Sequence, residues 1–303
     1  MAAYNGERYL PEQIRSILGQ SCHEWRLLIR DDGSTDATAA LLNEYESRYP
    51  EKIKVIKDED GNIGAAQNFM RLLDHADTEY VMLCDQDDVW LSDKVSVSLA
   101  RLRQQEEKDG ADVPMLLFTD MLVVDAQLNI IHRSYFAYQH INPHNIALNR
   151  LLVQNVPSGC TMLMNKAMAE VCGRISPHAV MHDHWLSLVG ATMGKIIYLD
   201  EPTLLYRQHS KNIFGASKYS LGCFFNKLLG GVTSVRKRFY QNVTQAKFFL
   251  EQYQDQLHGD SIAVLMAFSS LPNVSWWKKR KILFRYRIFK TGVLRNSGMM
   301  LIV

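Results

Sequence analysis

Tyr80-Val-Met-Leu-Cys84 runs directly into Asp85-Gln-Asp-Asp88. An apolar run followed by three carboxylates in four positions reads as a buried strand ending in an acidic loop. In open α/β sheets, ligands bind outside the carboxyl ends of the strands. Carboxylates this close repel one another, and a divalent cation relieves the repulsion. Hard cations take oxygen ligands, and Mg²⁺ shares its shell between one or two carboxylates and substrate phosphates. The plainer alternative is a solvated acidic turn. Delivery by an apolar strand favours the metal.

Upstream the pattern alternates between helix and strand periods. Leu10, Ile14, Ile17 and Leu18 fall on one helical face, and Trp25-Arg-Leu-Leu-Ile29 reads as a strand. Ser34-Thr-Asp36 offers helix caps before Leu41, Leu42, Tyr45 and Tyr49. Ile53-Lys-Val-Ile56 is a strand, Gly61-Asn62 breaks the chain, and Phe69, Leu72 and Leu73 continue as a helix. This alternation predicts a mostly parallel sheet with helices on both sides. A second strand-end acid motif, Asp31-Asp32-Gly33-Ser34, follows Ile29-Arg30. Its carboxylates can accept from a base N–H or ribose hydroxyls. Turn chemistry with helix capping explains this motif equally simply by itself. A doubly wound sheet opens on an apolar strand, but only Met1-Ala-Ala3 precedes Tyr4-Asn-Gly6. The first strand is therefore expected to be short or absent beside Trp25–Ile29.

Downstream, Met115–Phe118, Leu122–Val124, Cys160–Met164 and Lys195–Leu199 read as strands. Residues 132–150 read as a loop and His184–Met193 as a helix. Beyond Asn212, Leu228, Val232, Val235, Phe239, Val243 and Phe248 recur at helical steps, which places a boundary between 210 and 220.

The 303 residues carry 34 Lys+Arg against 32 Asp+Glu and are 47% hydrophobic. That is globular composition; it argues against disorder, a fibre or a coiled coil. No apolar run reaches the roughly 18 residues of a membrane span, and the N-terminus lacks a secretory pattern. Five cysteines without a CxxC pair disfavour zinc or a disulfide framework and suggest a reduced, cytoplasmic setting. The net charge of +2 hides an asymmetry: Ser261–Val303 contains no acid and carries +8, leaving −6 for the rest. A basic tail on a mildly acidic body suggests an anionic surface as its partner. Trp276, Trp277 and Lys278–Lys281 suit a bilayer interface. A solvated helix face is the even alternative.

Several motifs together resemble the family 2 glycosyltransferases of the GT-A fold, in particular their rhamnosyltransferase-like branch. They are Tyr4-Asn-Gly-Glu7, Asp31-Asp-Gly-Ser-Thr-Asp36, Asn62-Ile-Gly64 with Asn68, and Asp85-Gln-Asp-Asp-Val-Trp-Leu-Ser-Asp-Lys94. His182-Asp-His-Trp185, then Tyr206-Arg-Gln-His209 with Asn212, complete the series. They occur in the family's order over about residues 1–212 and are specific as a set. The chain departs in its short first strand, in Ala3 where Thr is frequent, and in His184 where an aromatic is frequent.

The resemblance implies an α/β fold: a GT-A, Rossmann-like mixed sheet over 1–215 and a helical, basic extension over 216–303. It implies that Ala3, Tyr4, Asn5, Asp31, Asp32, Asn62, Asn68, Asp85 and Gln86 contact a nucleotide diphosphate sugar. Asp87, Asp85 and His209 would hold Mg²⁺ or Mn²⁺, and Asp183 would be the general base. The implied reaction is inverting sugar transfer, with dTDP-rhamnose the leading donor, to a cell-surface polysaccharide or lipid-linked acceptor. Two other readings stand beside it. A nucleotidyltransferase acting on sugar phosphates would be expected to carry a Gly-rich basic loop near the N-terminus, and none is present. A non-catalytic protein binding nucleic acid or a partner through the tail leaves the acid motifs unexplained, so nucleic acid is not an expected partner.

Overall fold

A computed structural model describes residues 1–209 and 221–303, the second stretch with side chains from 233 onward. Its first part alternates as expected: β1 (Ala2–Ala3), α1 (Leu10–Leu18), β2 (Leu27–Asp31), α2 (Thr38–Arg48), β3 (Ile53–Ile56) and α3 (Ala65–Asp74). β1, β2 and β3 pair in parallel in that order, with Ala2 opposite Arg30 and Ala3 opposite Asp31. The slot beside β2 thus holds a two-residue strand. α1 turns Leu10, Ile14 and Ile17 onto this sheet's core, with Pro11 in its first turn, where a missing N–H costs nothing.

Then follow β4 (Tyr80–Met82), β5 (Val89–Trp90), α4 (Lys94–Asp109), β6 (Met115–Val124), β7 (Ile130–His132), α5 (Tyr135–Gln139) and α6 (Leu148–Leu151). β8 (Leu163–Asn165), α7 (Lys166–Cys172), α8 (His182–Met193) and β9 (Lys195–Arg207) complete this part. A second sheet has the order β4-β8-β6-β9-β5, with β7 on β6. Only β6 and β9 run parallel in it, so the parallel expectation holds for the first sheet and not for the second.

Four local expectations change. β4 is half-buried because it lies at the end of its sheet; burial begins at Leu83 and Cys84. The two strands expected at 115–124 are one, because a bulge absorbs the polar pair between them. Thr119 Oγ1 bonds Thr203 Oγ1 (2.7 Å), and Asp120 Oδ1 accepts from Met121 N (2.8 Å) and Tyr135 N (3.0 Å). The loop at 132–150 contains α5 and α6. The strand expected from Cys160 starts at Leu163, after a 3-10 turn at Gly159–Thr161.

The C-terminal helices are α9 (Leu221–Tyr253), α10 (Asp260–Ser269), α11 (Trp276–Arg285) and α12 (Val293–Ile302). The boundary expected between 210 and 220 lies outside the described residues. Phe239, Phe249, Phe268, Leu283, Ile288 and Met299 share one buried cluster with Leu116, Phe118 and Trp185. α8 is buried around nearly its whole circumference because α9 covers it: Trp185 packs on Phe249 and Tyr253.

Candidate active site

The loops at the carboxyl ends of β1, β2 and β4 open into a cavity of about 680 Å³. Its walls include Ala3, Tyr4, Asp32, Asn62, Asn68, Asp85, Gln86, Asp87 and Asp183. Asp32 is buried and strongly held. Its Oδ1 accepts from Ile63 N (2.9 Å) and Arg30 Nη1 (2.8 Å), and its Oδ2 accepts from Gly64 N (2.9 Å). Gly64 sits at φ +81°, which only glycine adopts freely, and this turn aims its N–H at the carboxylate. Arg30 is buried and makes two bonds to Asp58 (2.6 and 2.8 Å), besides reaching Gly61 O (3.0 Å). Asn68 Nδ2 donates to Arg30 O (3.3 Å). Asn62 is on the wall, on the loop these bonds hold.

Asn5 and Asp31 are not among the lining residues. Asn5 Oδ1 accepts from Thr35 N (2.8 Å), across to the loop after β2, and Asp31 Oδ1 accepts from Ser34 Oγ (2.5 Å) within that loop, so both side-chain oxygens are engaged by the protein. Gln86 clamps Tyr4: its Oε1 accepts from Tyr4 N and its Nε2 donates to Tyr4 O, each at 2.8 Å. The short first strand is thereby tied to the acidic loop.

The three carboxylates after β4 diverge. Asp85 and Asp87 line the cavity, while Asp88 turns inward. Burial pushes the Asp85 carboxyl up to about 7, and the charges of Asp87 and Asp183 add to the rise. Burial also raises Asp88, whose Oδ1 accepts from Arg207 N (3.2 Å) and whose Oδ2 has no hydrogen-bond partner among the described residues. Asp85, Asp88 and Cys160 place potential ligand atoms within 4.8 Å of one another. The antiparallel pairing of β5 with β9 carries the chain after Arg207 back to this loop. There His209 Nε2 donates to Asp87 Oδ2 (2.8 Å), and its ring stacks on Tyr9 at 4.7 Å. The converging group thus has Asp88 and Cys160 where Asp87 and His209 were expected; its mutually repelling acids, one with an orphaned buried oxygen, suit a hard divalent cation, and Asp87 with His209 lies beside it. Asn212, expected beside His209, lies outside the described residues.

Asp183 stands in the first turn of α8, and its Oδ2 accepts from Gly159 N (3.2 Å). Burial pushes its carboxyl up to about 6, against the N–H of Gly159, which favours the charged form. Gly159 has no room for a side chain: a Cβ would lie 2.6 Å from His182 Nε2. His182 packs on Phe69 at 4.0 Å between ring centroids, and neither ring nitrogen has a partner among the described residues. Burial depresses it to about 3, so it is neutral. His184 also lines the cavity, and its Nε2 donates to Leu151 O (2.6 Å).

The sequence profile of glycosyl transferase family 2 matches residues 1–171, more than half of the chain. The chain belongs to this family. Among curated relatives, it is 29% identical over 240 residues to the dTDP-rhamnosyl transferase RfbG of Shigella flexneri, covering 72% of this chain and 74% of that one. Over 190 residues it is 25% identical to the UDP-Glc:alpha-D-GlcNAc-diphosphoundecaprenol beta-1,3-glucosyltransferase WfgD of Escherichia coli, covering 62% and 68%. The chain spans between 46% and 74% of the length of three of the curated relatives it matches. Among solved structures, TarS 1-349 of S. aureus in complex with UDP-GlcNAc superposes with TM-score 0.59 at 16% identity. That match covers 94% of this chain and 78% of the other. The family 2 chain has the GT-A fold.

Part of this family 2 cavity was not foreseen. Arg30, the cation between the apolar run and Asp31, holds Asp32 from behind the cavity, and the sequence reading assigned it no role. Val153–Pro157, Arg238, Asn242 and Lys290 line the cavity itself, and no local pattern marked them as part of a site.

Proposed function

We propose that the chain is an inverting, divalent-metal-dependent glycosyltransferase that moves a sugar from a nucleotide diphosphate to a hydroxyl of a glycan acceptor. The observation that carries this reading is the sharing of one cavity by the nucleotide-loop acid Asp32, the acids Asp85 and Asp87, and Asp183. Asp85 and Asp87, with His209 bonded to Asp87, would hold Mg²⁺ or Mn²⁺; bound there, the cation neutralises charge building on the leaving diphosphate. Asp32 and the loop it fixes, with Tyr4, Asn62 and Asn68, face the nucleoside. Asp183 accepts the proton of the attacking hydroxyl, and Gly159 N–H holds its carboxylate in place. A single base and a single displacement invert the anomeric carbon.

The name of RfbG makes dTDP-rhamnose the first donor to try, and that of WfgD supports a diphospholipid-linked sugar as acceptor. A cytoplasmic enzyme at the inner membrane face fits such an acceptor. Among the described residues no helix is long and apolar enough to cross a membrane.

A thermal-shift screen of nucleoside diphosphates and their sugars, with Mn²⁺ or with chelator, tests the reading. A nucleotide-specific rise in Tm that needs the metal is expected, and Asp87→Ala should keep its fold but lose the metal-dependent part. Equal nucleotide affinity with and without chelator in the wild type would remove the metal. Pyrophosphate release from a nucleoside triphosphate and a sugar phosphate would replace sugar transfer with nucleotidyl transfer.

A further inference from the structure

The C-terminal helices form part of the cavity wall. Arg238 and Asn242 of α9, and Lys290 between α11 and α12, line it together with Asp183. Their placement is built by specific contacts. Val180 N donates to Gln245 Oε1 (2.7 Å), which sets α9 against the segment leading into α8. Thr291 N donates to Gln154 Oε1 (2.7 Å), Arg150 Nη1 to Phe289 O (3.0 Å) and Asn149 Nδ2 to Arg287 O (2.9 Å). These bonds hold Lys290 beside Gln154, another cavity residue.

The chemistry of this wall differs from that of the donor loops. Asp32, Asp85 and Asp87 belong to the strand-end loops. Among the described residues, those lining the cavity from 153–157 and from the C-terminal helices include two cations and no carboxylate. Asn242, on the same wall, is only 7% exposed. An amide lining a cavity can exchange water for a ligand's oxygen or hydroxyl. In an inverting displacement the acceptor approaches from the side opposite the leaving diphosphate. The acceptor must therefore reach Asp183 from a wall other than the one that holds the nucleotide.

We propose that Arg238, Asn242 and Lys290 form an acceptor subsite that binds a phosphate or diphosphate group carried by the acceptor sugar. The cations supply charge-assisted hydrogen bonds to phosphate oxygens, the guanidinium in two-pronged fashion. The Asn242 amide supplies a neutral contact to phosphate or to a sugar hydroxyl. This deepens the glycosyltransferase reading and rests on it: it makes the acceptor an anionic glycosyl phosphate rather than a neutral glycan end.

The full chain, saturated with dTDP and Mn²⁺, would be titrated with two probes. One is N-acetylglucosaminyl diphosphate on a short phenoxyalkyl chain; the other is the same glycoside without phosphate. Wild type should prefer the diphosphate probe. Arg238→Gln and Lys290→Gln should each weaken that binding roughly 10- to 100-fold, the size of one charge-assisted hydrogen bond. Affinity for dTDP and Mn²⁺ should stay as in wild type, and Arg238→Lys should recover part of the loss. Arg238 is exposed and lines the cavity, so its substitution leaves the buried cluster untouched, and unchanged melting checks this. Equal binding of the two probes by wild type would overturn the proposal. So would a loss of dTDP affinity in both variants with probe binding intact, which would assign the cations to the donor diphosphate. A chain that binds no nucleotide, yet whose diphosphate binding depends on Arg238 and Lys290, keeps the subsite and loses the donor reading.

Discussion

Asp183 must be ionised to take a proton, and its burial resists ionisation. With its carboxyl near pH 6, transfer should rise with pH through about 6 and level off above it. Asp183→Asn should bind donor normally and lose roughly 10²–10⁴-fold in turnover. The same shift has a stability consequence of definite sign. A carboxyl whose folded pKa is raised costs stability where it is ionised, above about pH 6, and costs nothing below its unfolded value. The Asn variant should therefore melt higher than wild type at pH 7–8, and the difference should vanish near pH 3.8. A turnover profile and calorimetry of both proteins check these outcomes. Arg30 makes the second argument at this scale. It is fully buried between Asp32 and Asp58, and its hydrogen bonds hold Asp58 down at about 2. Arg30→Met would leave Asp32 buried without its counter-charge, at a cost of about 3–5 kcal/mol. Urea unfolding of the variant should register that loss, together with weakened nucleotide binding as the Asn62–Gly64 loop loosens.

At the scale of elements, the strand ends were legible and the strands around them less so. Apolar runs meeting Asp31-Asp32 and Asp85–Asp88 marked the two acidic loops from chain order alone. The continuity of β6 was hidden, because Thr119 and Asp120 look like a break until Thr203 and Tyr135 satisfy them. The docking of α9 on α8 was likewise invisible, although it stiffens the helix that carries Asp183. Trp185 Nε1 donates to Tyr253 Oη (3.2 Å), which donates to Cys172 O (2.5 Å). Tyr253→Phe keeps the ring and leaves a buried N–H and a buried carbonyl without partners. It should lower stability by about 1–3 kcal/mol, measured by denaturant unfolding, and the donor loops should bind nucleotide as before.

Over the whole molecule, the basic tail is part of the globule. Leu283 and Ile288 are buried in the main cluster, and Arg280 donates to Met300 O and Val303 O. The opposite face of α11 remains outside: Trp277 is 73% and Phe284 63% exposed, with exposed Lys278, Lys281 and Arg285 on the same side at helical spacing. Aromatics interleaved with cations suit an anionic bilayer interface, where each cation contributes roughly 1 kcal/mol. We expect the full chain to float with anionic vesicles and to do so less at high salt. Trp277→Ala with Phe284→Ala, and separately Lys278→Gln with Lys281→Gln, should reduce flotation while melting stays unchanged. Flotation identical to wild type in both double variants would confine these cations to solubility. Deleting the tail would be a poor test, since it would strip Leu265, Phe268, Leu283 and Met299 from the core.

Chain order and local chemistry alone determined the alternation of strand and helix, the acidic loops and the charge asymmetry of the tail. They did so because side-chain period, turn residues and strand-end carboxylates act over a few neighbouring positions. Tertiary structure alone decided that Asp88 turns inward, that Gly159 presents its N–H to Asp183, and that Arg238, Asn242 and Lys290 close the same cavity. These residues lie far apart in the chain, and their meeting follows from the burial of one shared apolar cluster, whose pairings no local pattern encodes.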